Sequence, residues 1–137
     1  MLRTRFRIVS KFITSNNYSS APAEQKKIIS ASFKVQNNKD FLERVKNSKV
    51  PVIVDFFATW CNPCRLLTPR IEQLVGEKQG KILLAKVDID ENTDLAMDYD
   101  IASVPVLMVM KDGKVMERLI GLQDIDKLKK FINKHAN

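Results

Sequence analysis

Two residues in this chain have the type and spacing to do redox chemistry: Cys61 and Cys64, the only cysteines among 137 residues. They stand in Trp60-Cys61-Asn62-Pro63-Cys64. Residues at i and i+3 share one face of a helix, roughly 5–6 Å apart, which suits a disulfide. Such a pair opens and closes with little backbone movement, the requirement of dithiol–disulfide exchange. Two other uses of the pair are weighed against it. Structural zinc takes four ligands, usually a second Cys pair or a His pair. This chain has no third Cys, and its one His is His135. A purely structural bridge closing so short a loop removes little unfolded-state entropy.

The flanking sequence places the pair at a strand-to-helix junction. Val52-Ile53-Val54-Asp55-Phe56-Phe57-Ala58 lacks alternation and is rich in β-branched and aromatic residues, so it reads as a strand buried on both faces. After the pair, Leu67, Ile71, Leu74 and Val75 recur at helical spacing as far as about Glu77. Pro63 fits the first turn of that helix, where a missing N–H costs nothing, and Pro69 inside it should kink it. Unpaired N–H groups and the positive end of the helix dipole favour a thiolate at such a start. A Cys there titrates below its free value.

The remaining elements follow from period and punctuation. Phe33-Lys34-Val35 is a short first strand. Asn37 or Asn38 caps a helix whose inner face is Phe41, Leu42 and Val45. Lys81 to Asp88 is a strand, parallel to the central one through a βαβ unit. Asn92 or Thr93 caps a short helix with Leu95, Ala96 and Tyr99 inward. Val104 to Met110 is a strand, Asp112-Gly113 a hairpin turn, and Val115 to Ile120 the returning strand. A last helix buries Ile125, Leu128, Phe131 and Ile132, and Met97, Met108, Met110 and Met116 are expected as core filler. The order β-α-β-α-β-α-β-β-α implies an α/β fold, a mixed sheet covered by helices on both faces.

Asp55 is the odd residue in its strand. Among Val54, Phe56 and Phe57 its carboxyl is expected to be partly buried, with a pKa raised by desolvation. On its own it could equally face solvent at the strand end or pair with a lysine, and Lys86 alone could be a surface charge. Trp60 alone could be a core aromatic.

From about Phe33 to about Ile132 the chain resembles the thioredoxin family. The likeness rests on Trp60-Cys61-Asn62-Pro63-Cys64-Arg65, Asp55-Phe56, Pro69, Lys86-Val87-Asp88-Ile89-Asp90, Ser103-Val104-Pro105, Lys111-Asp112-Gly113 and Gly121. It departs at Asn62, where the family usually has Gly, and at Phe57, where it usually has Trp. The resemblance implies the thioredoxin fold: a central mixed sheet of about five strands flanked by four helices. It implies that Cys61 is the nucleophile of a protein-disulfide reductase, that Cys64 resolves the mixed disulfide, and that Asp55 relays the Cys64 proton with Lys86 nearby. It implies a cis Pro105 that leaves the Val104 backbone free for an extended substrate. Trp60, Pro63, Val104, Ile120, Gly121 and Leu122 would form an apolar docking rim. No bound cofactor is expected; NADPH and FAD act indirectly, through a thioredoxin reductase, and peroxiredoxins are expected among the clients. Two other classes stay open: a disulfide oxidase or isomerase of the same fold, and a binding subunit whose thiols are dispensable.

Residues 1–31 are foreign to the rest. Leu2, Phe6, Val9 and Ile13 recur at helical spacing among Arg3, Arg5, Arg7 and Lys11, and no acid precedes Glu24. This Arg-rich, Ser-rich, acid-poor pattern reads as an organellar transit peptide, with cleavage between Tyr18 and Ser32; joined to the family resemblance, it implies a mitochondrial one. The competing reading is an untargeted basic tail. Residues 32–137 are expected to be the folded domain, monomeric and in the mitochondrial matrix. Most of the formal charge of +7 sits in the leader, which argues against nucleic acid as a partner of the domain. Apolar content of 45% is ordinary for a globule, and no run approaches the 18 or so apolar residues a membrane span needs.

Overall fold

Val52–Phe57 (β2) is the central strand, and Val52, Ile53, Val54 and Phe56 are fully buried. In the computed structural model, which describes residues 31–136, it is followed by a helix over Asn62–Gly76 (α2). Ser32–Lys34 (β1) precedes it, with a helix at Asn38–Phe41 (α1) that continues as a wider π-helical turn over Leu42–Lys46. After α2 come Leu83–Asp88 (β3), Thr93–Asp98 (α3), Val106–Lys111 (β4), Lys114–Ile120 (β5) and Ile125–His135 (α4). Five strands lie in the order β1-β3-β2-β4-β5, with β1, β3 and β2 mutually parallel and β4 and β5 antiparallel. The expected element order and mixed sheet are what the chain adopts. The transit peptide expected over residues 1–31 lies outside the described residues except for Ala31. Ala31 is buried, and its carbonyl accepts from the Leu84 N–H at 2.8 Å.

Alternation along the buried strands supplies two cores. Ile53, Leu84, Leu107 and Val109 face α2 and α4, meeting Leu67, Ile71, Leu74, Leu128, Phe131 and Ile132. Val52, Val54, Phe56, Val87 and Met108 face the other way, toward Phe41 and Val45 and toward Leu95 of α3. Asp55 has the parity of Ile53 and so points toward α2. The β4–β5 turn has positive φ at both Asp112 and Gly113 (53° and 75°), the requirement of the tight hairpin that the sequence predicts.

Four apolar residues expected inside are exposed: Leu42, Met97, Met116 and Ile125. Leu42 opens the π-helical turn, and Phe41 and Val45 alone fill the narrow inner face. Met97 follows Leu95 and Ala96, which already occupy the inward side of the short α3. Met116 lies on an edge strand covered on one side only. Ile125 stands in the first turn of α4, ahead of the buried stripe of Leu128, Phe131 and Ile132. Helix caps match expectation at Asn37, whose Oδ1 accepts from the Asp40 N–H at 2.9 Å. Asn92 takes the cap position without a side-chain cap bond; it is buried, and its amide donates to the Asp88 carbonyl at 3.2 Å.

Candidate functional site

Cys61 is the N-cap of α2. Its Sγ accepts the Cys64 backbone N–H at 3.2 Å, so the sulfur occupies the place a Ser or Asp oxygen takes in an ordinary cap. The two cysteines are joined in a disulfide, with Cα atoms 5.3 Å apart. Once the bond is reduced, the cap position favours a charged Cys61 sulfur, through the N–H group and the helix dipole together. Cys61 is 5% exposed and Cys64 2%. The sequence places Cys61 on an open helix start; it lies lower than that because Ala58, Phe57, Ile89 and Val104 pack around the pair. The Val104 carbonyl oxygen is 3.8 Å from Cys61 Sγ.

Beneath the pair, Asp55 is fully buried. Burial pushes its pKa up to about 6, against a hydrogen bond from Thr68 and the charge of Lys86, which pull it down. Thr68 Oγ1 donates to Asp55 Oδ2 at 2.7 Å, while Oδ1 is buried with no protein donor among the described residues. Lys86 sits directly across from Asp55 in the β2–β3 register. The Lys86 ammonium pairs with Glu72 of α2 at 3.2 Å, both partly exposed, while its charge still acts on Asp55. A lysine at the sheet face gains more from a half-solvated carboxylate than from following Asp55 into an apolar interior.

Of the residues expected in the rim, Trp60 and Pro63 adjoin the cysteines in the chain and Val104 packs against them. Trp60 is 65% exposed, and its indole N–H donates to Asp90 Oδ2 at 2.9 Å, which holds the ring beside the site. Asn62 and Pro63 are exposed in the first turn of α2. The Val104–Pro105 peptide is cis. Ile120 and Leu122 are exposed on the far side, joined by Gly121, which has φ 87° and donates its N–H to the Pro105 carbonyl at 2.9 Å. That bond fixes the Ile120-Gly121-Leu122 corner against the cis-proline loop. No role for Thr68, Glu72 or Asp90 is read from the sequence. Thr68 had a readable signal, since it lies four residues after Cys64 and so on the same helix face.

Among the described residues no group of three or more His, Cys, Asp or Glu side chains could hold a metal, and no helix is long and apolar enough to cross a membrane. The groups at the site that can carry chemistry are two sulfurs at a helix start and a buried acid on the strand before them.

Comparison with known proteins gives the same picture. The thioredoxin family model matches residues 32–134. The mitochondrial thioredoxin of Bos taurus is 45% identical over 108 residues, 79% of this chain and 65% of the relative. That of Mus musculus is 47% identical over 75% of this chain and 62% of the relative. The chain thus spans less than two thirds of these relatives' length. A probable thioredoxin-2 of Caenorhabditis elegans is 45% identical over 73% of this chain and 69% of its own. Among solved structures, a mutant thioredoxin from Halobacterium salinarum superposes with a TM-score of 0.70 at 35% identity, covering 77% of this chain and 91% of that one. With the family model matching residues 32–134, across every strand and nearly all of the last helix, and with the cysteine pair and the cis-proline beside each other, the chain belongs to the thioredoxin family.

Proposed function

We propose that this chain is a protein-disulfide reductase that works by dithiol–disulfide exchange. The observation that carries the reading is the Cys61–Cys64 disulfide at the start of α2, with one sulfur capping the helix and an apolar rim beside it. In the dithiol form the Cys61 thiolate attacks one sulfur of a client disulfide. A Cys61–client bond forms, and the other client sulfur leaves with the electron pair and takes a proton. Cys64 then loses its proton to Asp55 and attacks Cys61 Sγ. The Cys61–client bond breaks with its electron pair on the client sulfur, which takes a proton from solvent; the client leaves as a dithiol, and the pair is left oxidised.

Asp55 suits this second step because an acid with a pKa near 6 is largely ionised at neutral pH yet binds a proton readily. The backbone of Val104 offers polar groups to an extended client segment, a short form of strand addition. Trp60, Pro63, Val104, Ile120, Gly121 and Leu122 offer apolar area without a deep pocket, which suits many protein disulfides rather than one metabolite. A flavin-dependent, NADPH-fed thioredoxin reductase re-reduces the pair, and peroxiredoxins are among the clients. Location in the mitochondrial matrix is supported by the Arg-rich leader sequence and by relatives named as mitochondrial thioredoxins. The test is NADPH consumption by a thioredoxin reductase, a disulfide-bonded protein and this chain together. Consumption that requires all three, and both cysteines, supports the reading; equal consumption by the Cys61→Ser, Cys64→Ser double variant overturns it.

A further inference from the structure

Thr68 has no role in the reading above, yet it lies between two of its parts. Cys64 and Thr68 are four apart on α2 and so face the same way, one turn from each other. Both line an open, largely apolar cavity of about 370 Å³ on the flank of the site, with Phe57, Ala58 and Pro69. From there the Thr68 hydroxyl reaches Asp55, donating to Oδ2 at 2.7 Å. The two carboxylate oxygens are thereby made unequal, one pinned and the other buried without a protein donor among the described residues. A buried, unpartnered carboxylate oxygen is costly and needs a reason. A proton acceptor is one, because its free lone pair is what the incoming proton takes.

We propose that Thr68 is the positioning residue of the proton step: it pins Oδ2 so that Oδ1 faces the thiol of Cys64 as the accepting oxygen, and it sets how strongly Asp55 holds that proton. The proposal rests on the reductase reading and deepens it. The Cys64 S–H bond breaks and Oδ1–H forms, while Oδ2 goes on accepting from Thr68. The Cys64 thiolate attacks Cys61 Sγ, and the Cys61–client bond breaks with its electron pair on the client sulfur. Asp55 afterwards loses its proton to solvent. The other groups that bear on Asp55 are Lys86 from β3 and Glu72 from α2, which pair with each other, and in the reduced protein the two thiols. From β4 its register partner is Leu107, flanked by Val106 and Met108, with no charge.

The test compares Thr68→Val, which keeps the shape and removes the hydroxyl, with Thr68→Ser, which keeps the hydroxyl. Reduced full-length protein is mixed with a disulfide-bonded protein, and formation and decay of the mixed disulfide are followed across pH. In Thr68→Val the midpoint of the decay should rise by about one pH unit, the equivalent of one lost hydrogen bond to a charged group, so that decay is about twofold slower at pH 7 and about tenfold slower well below pH 6. Formation of the mixed disulfide should be unchanged, and Thr68→Ser should behave as wild type. NMR titration of the Asp55 carboxyl in the oxidised protein should show the same rise for Val and none for Ser. An unmoved midpoint in Thr68→Val, or a Ser variant that shifts as Val does, overturns the proposal. If the wild-type chain forms no mixed disulfide, the reductase reading fails, and the carboxyl titration still decides whether Thr68 governs Asp55.

Discussion

Replacing Asp55 by Asn should remove a stability penalty that grows with pH, and by an amount the structure lets one work out. Asp55 has a pKa of about 6 in the folded chain against 3.8 unperturbed. The folded state therefore binds the proton more tightly than the unfolded one. Between those two values the folded state carries more protons, so stability falls as pH rises, by up to about 1.4 kcal/mol per unit. Below about pH 4 the acid is neutral in both states and the penalty is absent; above about pH 6 it is complete. The full difference is on the order of 3 kcal/mol. Asp55 is wholly buried, so solvent screening does not reduce it.

The asparagine side chain of the Asp55→Asn variant cannot ionise, and its amide oxygen can still accept from Thr68. It also brings an amide NH2 to the place of Oδ1, which has no hydrogen-bond partner among the described residues, and an NH2 left unpaired there costs about 1–3 kcal/mol, independent of pH. The informative quantity is thus the difference between the two proteins as a function of pH. Urea unfolding of both oxidised proteins at steps from about pH 4 to 8 measures it, with equal m-values as the check that the unfolded states match. The variant should gain on wild type through the acid range and level off above about pH 7. A flat difference, or one that favours wild type as pH rises, would mean that the ionised carboxylate is better solvated than its burial implies, and the proton-relay argument would lose its base.

Other outcomes follow from the same geometry. Cys64→Ser should trap client proteins as stable mixed disulfides at Cys61, seen on a non-reducing gel, and Cys61→Ser should trap none; capture through Cys64 would reverse the assigned roles. Asn62→Gly should make the Cys61–Cys64 potential more negative by less than about 30 mV, since an Asn62 amide donating to the Cys61 thiolate of the reduced pair, at an exposed position, would contribute about 1 kcal/mol; titration against glutathione measures it, and a positive or much larger shift would overturn the reading. The full-length chain should be imported into mitochondria and cleaved, and a form that stays whole in the cytosol would sink the leader assignment. A chain beginning at Ala31 should be more stable by about 1 kcal/mol than one beginning at Ser32, because the latter loses the Ala31 carbonyl bond to Leu84; equal urea midpoints would count against that bond's contribution.

Most of the fold was legible because burial and period agree along the chain. Val52 to Phe57 has no polar face except at Asp55, which marks it as the strand with layers on both sides. The spacing of Leu67, Ile71 and Leu74 fixes which side of α2 meets the sheet. Where the reading failed, period was not enough. Leu42 and Ile125 lie on apolar stripes, but each sits where its helix has little beneath it, and a stripe does not say how far the sheet extends.

The candidate site divides along a similar line. Its covalent part was legible because spacing along one segment determines it: Cys61 caps a helix that Pro63 starts, and the second sulfur follows one turn later. Its electrostatic part was legible only in outline. That Asp55 is buried follows from its neighbours, but its partner depends on distances between separate elements. Lys86 is opposite it in register and still chooses Glu72, since an ammonium on a four-carbon stem can swing toward water while a carboxyl on one carbon cannot. Asp55 is left to a neutral hydroxyl from α2, which hydrogen-bonds one oxygen without delivering a charge. A full cation at that distance would hold the acid ionised well into the acid range and make it a poor proton acceptor. The hydroxyl offsets part of the burial and leaves the pKa near 6, where the acid can take a proton from a thiol and give it up again.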